Sequence, residues 1–305
     1  MPIRHFTLTT LSPIFIYGAE NKNNLEPELR AASVRGQLRY WGRAIWGASM
    51  SNLEDVWAKE KSIFGATDLG SALGVRVFPR GSIEIEKRPL MPHRSDTKSQ
   101  SLALAIDEAQ RFEVQLVTRP GAKFTRSIFA PMQVWGLLGG VGKRSRRMFG
   151  AIYVPGLFEE GDPTTIEGFS DLIPKILGAK FACGDPATLQ GVYRQAPAYP
   201  TLNPRYSCIL VGQASVESAT EGNRQLFGLL RSKRYLQHER VFGYASGGRR
   251  ASPLIAQVKK VGDELYPVFT LMRSSDNREV KVLNDFMRDL RAEFGAQIVW
   301  GGEFK

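Results

Sequence analysis

Sulfur and imidazole are scarce in this sequence, with two cysteines and three histidines among 305 residues. Cys183 and Cys208 share no metal-ligand or redox spacing, so the expectation is two isolated buried thiols in a reducing compartment. His5, His93 and His238 are far apart in sequence, and none lies in a metal-ligand pattern. Neither a metal nor a cofactor is expected. No apolar run approaches the roughly 18 residues that span a bilayer. The opening Met1-Pro2-Ile3-Arg4-His5-Phe6 lacks the apolar core of a secretory leader, so a cytoplasmic location is expected.

What the chain has in surplus is positive charge. Lysine and arginine number 41 against 30 acidic residues, a net charge of +11 and a pI near 9.7. That balance points toward nucleic acid or an acidic membrane surface. At 43% hydrophobic and 23% charged, the composition is that of a globular protein able to bury a sizeable core. The length suits about two domains of ordinary size.

The densest chemistry lies at Gly139 to Gly150, Gly-Gly-Val-Gly-Lys-Arg-Ser-Arg-Arg-Met-Phe-Gly. Glycines leave backbone amides uncovered, and successive exposed amides form anion-binding concavities. Lys143, Arg144, Arg146 and Arg147 add charge and forked donors that match phosphate oxygens. Two mononucleotide patterns fail here. A P-loop needs Ser or Thr where Arg144 stands and a first glycine where Leu137 stands. A dinucleotide loop needs Gly or Ala at Ser145 and a strand before it. The expected ligand is a nucleic-acid backbone; a solvated basic hairpin is the plain alternative.

Along the chain, residues 3–17 read as a first strand ending near Gly18. Ser33 sits where a helix cap belongs, and a helix follows to Trp46. Val34, Leu38, Trp41 and Ile45 form one apolar stripe, while Arg35, Arg39 and Arg43 recur every fourth residue on another face. No acid between Ala31 and Met50 can pair with them locally, so an external anion is the expected partner. A second helix is expected over 52–64, strands over 74–78 and 112–117, and a mobile polar loop over 89–101. Helix 128–138, the glycine loop and strand 151–154 complete a strand-helix-strand-strand-helix-strand order, the ferredoxin-like plan.

The second half repeats that outline. Its strands are expected at 206–216, 254–261, 264–273 and 297–300, and its helices at 223–237 and 280–294. Gly262-Asp263 is a hairpin signal. Between the halves a helix is possible over 169–180, and proline-rich 184–204 reads as a linker or surface excursion. The domains expected are 1–158 and 159–305, with 159–205 as linker or insertion. Arg249 and Arg250 close a second Gly/Arg segment, 242–253.

The run Glu28 to Arg43 resembles the R-x-x-S-(I/V)-(K/R)-G-x-L-R-(F/Y)-W-x-R signature of CRISPR RAMP proteins. Within them it resembles most the first RAMP subunit of the type III-B (Cmr) effector complex. Gly139 to Gly150 is similar to the family's G-G-(L/V)-G-x-R-(S/T)-R-R-G-(F/L)-G segment, with Met148 in place of a glycine. Arg249-Arg250-Ala251-Ser252-Pro253-Leu254 resembles its late R-x-A-S-P-L. The resemblance implies two tandem ferredoxin-like (RRM-like) domains, an α+β fold. It also implies a non-catalytic place in a crRNA-guided antiviral complex, near the crRNA 3′ end, beside other RAMP subunits. There the subunit helps capture or hold target RNA.

Three phosphate tracks are expected on this reading: Arg35, Arg39 and Arg43; Lys143, Arg144, Arg146 and Arg147; and Arg249 and Arg250. Lacking a stacking signature on a strand, the chain is expected to use backbone and shape contacts. Two rivals stay open. A RAMP-type endoribonuclease processing repeat RNA would use one of the histidines as general acid or base; each stands without a visible sequence partner. A membrane-surface protein would need a broad apolar face beside its basic one, whereas the stripe on helix 34–46 is narrow.

Overall fold

The computed structural model describes residues 2–17, 26–90, 102–181, 193, 195–244 and 250–305. The first half contains β1 (Ile3–Thr10), α1 (Ala31–Ser49), α2 (Leu53–Phe64), β2 (Leu73–Pro79), β3 (Ile85–Pro89) and β4 (Leu102–Ile106). It continues with β5 (Arg111–Thr118), α3 (Arg126–Leu138) and β6 (Ile152–Tyr153). Next comes α4 (Ile166–Pro174), which runs into a π-helical turn, Lys175–Phe181. The second half has β7 (Ser207–Val211), α5 (Ala219–Leu230), the short α6 (Lys233–Leu236), β8 (Leu254–Val261), β9 (Glu264–Met272), α7 (Val280–Phe294) and β10 (Gln297–Gly301).

Two four-stranded antiparallel sheets carry the fold, ordered β2-β5-β1-β6 and β10-β7-β9-β8, with β3 and β4 pairing separately. In both, the strands lie fourth, first, third and second by order of appearance. The sheets differ in their cover. In β1, Phe6 and Leu8 face the core while His5 and Thr7 face out, the alternation of a sheet covered on one side. In β7, Ile209 and Val211 belong to one core, and Cys208 and Leu210 to the other. A strand buried on both faces has no polar side to show, hence its unbroken apolar run. Burial also pushes the Cys208 thiol up to about 12.

Helix α3 explains how the second sheet is covered twice. Ala130, Met132, Val134, Trp135, Leu137 and Leu138 are all buried, around most of the helix, as expected for one lying between layers. They share a core with Leu8 and Val114 of the first sheet and with Ile209, Ile255 and Val268 of the second. Amphipathic α7 covers the other face of the second sheet with Leu283, Phe286, Met287, Leu290 and Phe294.

Several expectations change. β1 stops at Thr10, because Ser12 and Pro13 turn the chain; Ile14 and Phe15 then make single bridges to Ile106 and Lys143. Helix α1 starts three residues early, with Arg30 at the cap position and no side-chain cap bond, so Ser33 is not its cap. Hairpin strands β3 and β4 flank the region read as a polar loop; residues 91–101 lie outside the described residues. The stretch 201–203 is no surface excursion. Thr201, Leu202 and Asn203 are buried against the end of α1, with the Leu202 amide on the Ala44 carbonyl and Asn203 Nδ2 on that of Ala48. The hairpin at Gly262-Asp263 forms, pairing Val261 with Glu264. Strand 254–261 and helix 280–294 match their expected bounds.

Candidate nucleic-acid interface

The arginine ladder of α1 has an acid after all. Glu60, from the next helix, is buried, and Arg39 Nε lies 2.5 Å from one carboxylate oxygen while Arg43 Nε lies 3.7 Å from the other. Arg35 donates to the carbonyl of Phe64, the last residue of α2. The ladder therefore clamps α2 to α1. The partner was invisible to local spacing because it comes from a neighbouring helix. Arg39 and Arg43 nevertheless keep 42% of their side-chain surface exposed.

The glycine loop is pinned in place. Amides of Val141, Lys143, Arg147, Met148 and Gly150 donate to the carbonyls of Gly150, Phe15, Arg144, Ala256 and Pro13 respectively. Those five amides are spent internally and take no part in an anion concavity. The glycines serve close approach: Gly150 has φ +65°, and a Cβ there would overlap the Val141 carbonyl. Met148 adopts φ +67° with its side chain fully buried in the second core, packing on Gly222. That core contact offsets the left-handed strain and explains how methionine replaces glycine here.

The loop is also the seam between the halves. Arg147 donates to the carbonyls of Arg146, Leu254 and Phe242 and to Ser252 Oγ, at 2.8 to 3.2 Å. Burial, and then Arg146 and Arg144 nearby, push its guanidinium down to about 10. Arg147 is thus an internal strut, not part of a phosphate track. From the other side, Asn223 Nδ2 donates to the Arg147 carbonyl and Gln257 Nε2 to that of Ser145. Lys143 stacks its ammonium 4.6 Å from the Tyr17 ring centre, and burial lowers its pKa. Arg144, at φ +64°, sits at the tip of the turn closed by the Arg147 amide.

Two of the expected cations meet. Arg43 of α1 and Arg146 of the loop line one groove of about 370 Å³ with Gln37, Tyr40, Trp41 and Ile255. Arg146 lies 5.2 Å from the Tyr40 ring centre and donates to the Ser252 carbonyl at 2.9 Å. Arg250 does not line this groove; it closes a bridge with Tyr244 and keeps a buried Nη2 with no partner among the described residues. Arg249 lies outside the described residues. Sequence reading missed Tyr40 Oη and Trp41 Nε1, buried groove-lining groups that find no partner among the described residues. The signal was present: an aromatic pair inside a basic helix is a stacking and donor element as well as a core element.

The histidines do find partners. His5 Nδ1 lies 2.6 Å from Glu113 and His238 Nδ1 lies 2.6 Å from Glu279, and neither residue lines the groove. His93 falls outside the described residues. No described helix is long and apolar enough to cross a membrane.

Comparison with known proteins agrees with the motifs. The sequence model of the RAMP superfamily matches residues 7–153. The chain is 25% identical to the CRISPR system Cmr subunit Cmr1-1 of Pyrococcus furiosus, over 90% of this chain and 92% of that one. It is 29% identical to Cmr1-2 of the same organism over 50% of this chain and 96% of that one. The crystal structure of apo Cmr1 from Pyrococcus furiosus superimposes with a TM-score of 0.70 at 20% identity, covering 99% of this chain and 100% of that one. A chain of the type III-B Cmr-beta complex bound to cognate target RNA gives 0.67 at 10% identity, covering 96% and 99%. Those likenesses establish the fold. Residues 7–153 match the RAMP superfamily model, in a chain similar to Cmr1 over most of its length.

Proposed function

We propose that this chain is a non-catalytic, single-stranded RNA-binding subunit of a type III-B (Cmr) effector complex, holding crRNA, target RNA or both beside other RAMP subunits. The observation that carries the reading is the groove between α1 and the glycine loop. Arg43 and Arg146 stand on its walls, and Tyr40 Oη and Trp41 Nε1 are left without partners among the described residues. Arginine forks suit phosphate oxygens, and the Tyr40 ring beside Arg146 offers a face for a base. The likeness to Cmr1 and to a chain in a complex with target RNA supports the same reading.

The shared strand order of the two sheets supports two ferredoxin-like units, the second built onto the helix layer of the first. The absence of catalysis is part of the proposal. His5 and His238 are paired with carboxylates outside the groove, which favours binding over cleavage chemistry at that site. Ultraviolet crosslinking of the full chain to single-stranded RNA, with peptide mapping, tests the reading. Crosslinks in 37–43 and 139–146 are expected, with the RNA recovered uncut. Crosslinks confined to other segments, or cleavage of repeat RNA, would overturn it.

A further inference from the structure

The outer face of the first sheet has no cover among the described residues. Its rungs follow from the strand register. Arg76, Gln115 and His5 share one rung, and Phe78, Glu113 and Thr7 share the next. Arg111 lies opposite Thr9, and the Arg80 amide bonds to the Arg111 carbonyl. These residues alternate with the core-facing Phe6, Leu8, Phe112, Val114 and Leu116 and so stand on the opposite side. The second sheet has no equivalent, because helices cover it on both faces.

This face is an aromatic in a field of cations. Phe78 is 45% exposed at the edge strand, so its ring is open to a stacking partner. Arg76 and Arg111 have no side-chain partner among the described residues. The one carboxylate on these rungs, Glu113, is shared between Arg80 at 2.5 Å and His5 at 2.6 Å. Three guanidinium groups against one carboxylate leave a positive excess, complementary to a phosphodiester strand. An exposed ring among spaced cations is the arrangement by which proteins hold single strands, stacking bases and neutralising phosphates.

We propose that this face is a second single-stranded RNA platform, with Phe78 stacking on a base and Arg76, Arg80 and Arg111 contacting the backbone. It deepens the proposed function and rests on it, but lies on the side of the sheet away from α1 and its groove.

The test uses the full chain with labelled oligouridine of increasing length and compares two variants. One carries Phe78→Ala, Arg76→Ala and Arg111→Ala; the other carries Arg43→Ala and Arg146→Ala. All the sheet-face substitutions are at exposed positions, and circular dichroism verifies the fold. For the sheet variant, loss of the stack alone is expected to weaken binding to long oligouridine about 5- to 150-fold. Two lost phosphate contacts flatten the log–log salt slope by about 1.4. Photocrosslinks in 73–79 should be present in the parent and lost in the variant. Parent-like affinity and slope in the sheet variant, with binding lost in the groove variant, would overturn the platform and leave the groove reading intact. If neither variant changed binding, both readings would fall.

Discussion

Lys259 of β8 reaches across the seam to donate to the carbonyls of Gly139, at 2.6 Å, and Gly136, at 2.8 Å. It thereby ties the carboxyl end of α3, where the glycine loop begins, to the second sheet. Cations at a helix carboxyl terminus are favourable, but here burial dominates and pushes the ammonium down to about 7. Between about pH 7 and the ordinary lysine value near 10.4, the unfolded chain holds a proton that the folded chain has released. Stability from this residue therefore rises with pH across that window and is lowest below it. Chemical denaturation from pH 7 to 10 should show that rise, and Lys259→Met should flatten it.

Arg147 discriminates a strut from a phosphate contact. Arg147→Met removes donors from three carbonyls and a hydroxyl at the seam. A loss on the order of 3 kcal/mol is expected, since buried groups lose their partners. The salt slope of RNA binding, measured on the fraction that remains folded, should not change.

Glu60 holds the ladder in check. Glu60→Gln keeps the shape of the side chain but removes the charge shared by Arg39 and Arg43. Thermal unfolding should show a loss of about 1 to 2 kcal/mol, because both arginines reach water. RNA affinity should rise, because two guanidinium groups lose their internal counter-ion. Unchanged affinity would place the ladder outside the binding site.

Gly150 tolerates no side chain. At φ +65° an added Cβ would overlap the Val141 carbonyl, which also accepts no displacement from the pinned loop. Gly150→Ala should fail to give soluble folded protein, whereas Gly156→Ala, at similar φ but with open space around it, should fold. Comparing soluble yields checks the pair.

Much of this was legible along the chain, and the misses have a common cause. Period and turn chemistry located β8, β9 and α7, because each element's pattern is set by its own residues. Arg43 and Arg146 were singled out by charge density, and the fold brings them together. What sequence could not show was the use of each charge. Arg39 and Arg147 read like phosphate ligands, yet Glu60 and the carbonyls of Phe242 and Leu254 claim them, all distant in sequence or on another element. Several of the loop's amides were misread for the same reason: the acceptors of Lys143, Met148 and Gly150, which are Phe15, Ala256 and Pro13, lie far along the chain. Trp41 was assigned to packing, and Tyr40 to no role, because an apolar stripe does not reveal a polar atom left without a partner.

The most direct test is the salt dependence of single-stranded RNA binding by Arg43→Ala/Arg146→Ala. From sequence, removing the loop's four cations would be expected to flatten the log–log slope by roughly 2 to 3 units. With Arg147 internal, the groove account assigns about 1.4 units to Arg43 and Arg146 together. A fall of that size, with the fold intact, is the predicted result; a slope equal to that of the unaltered chain would contradict the account.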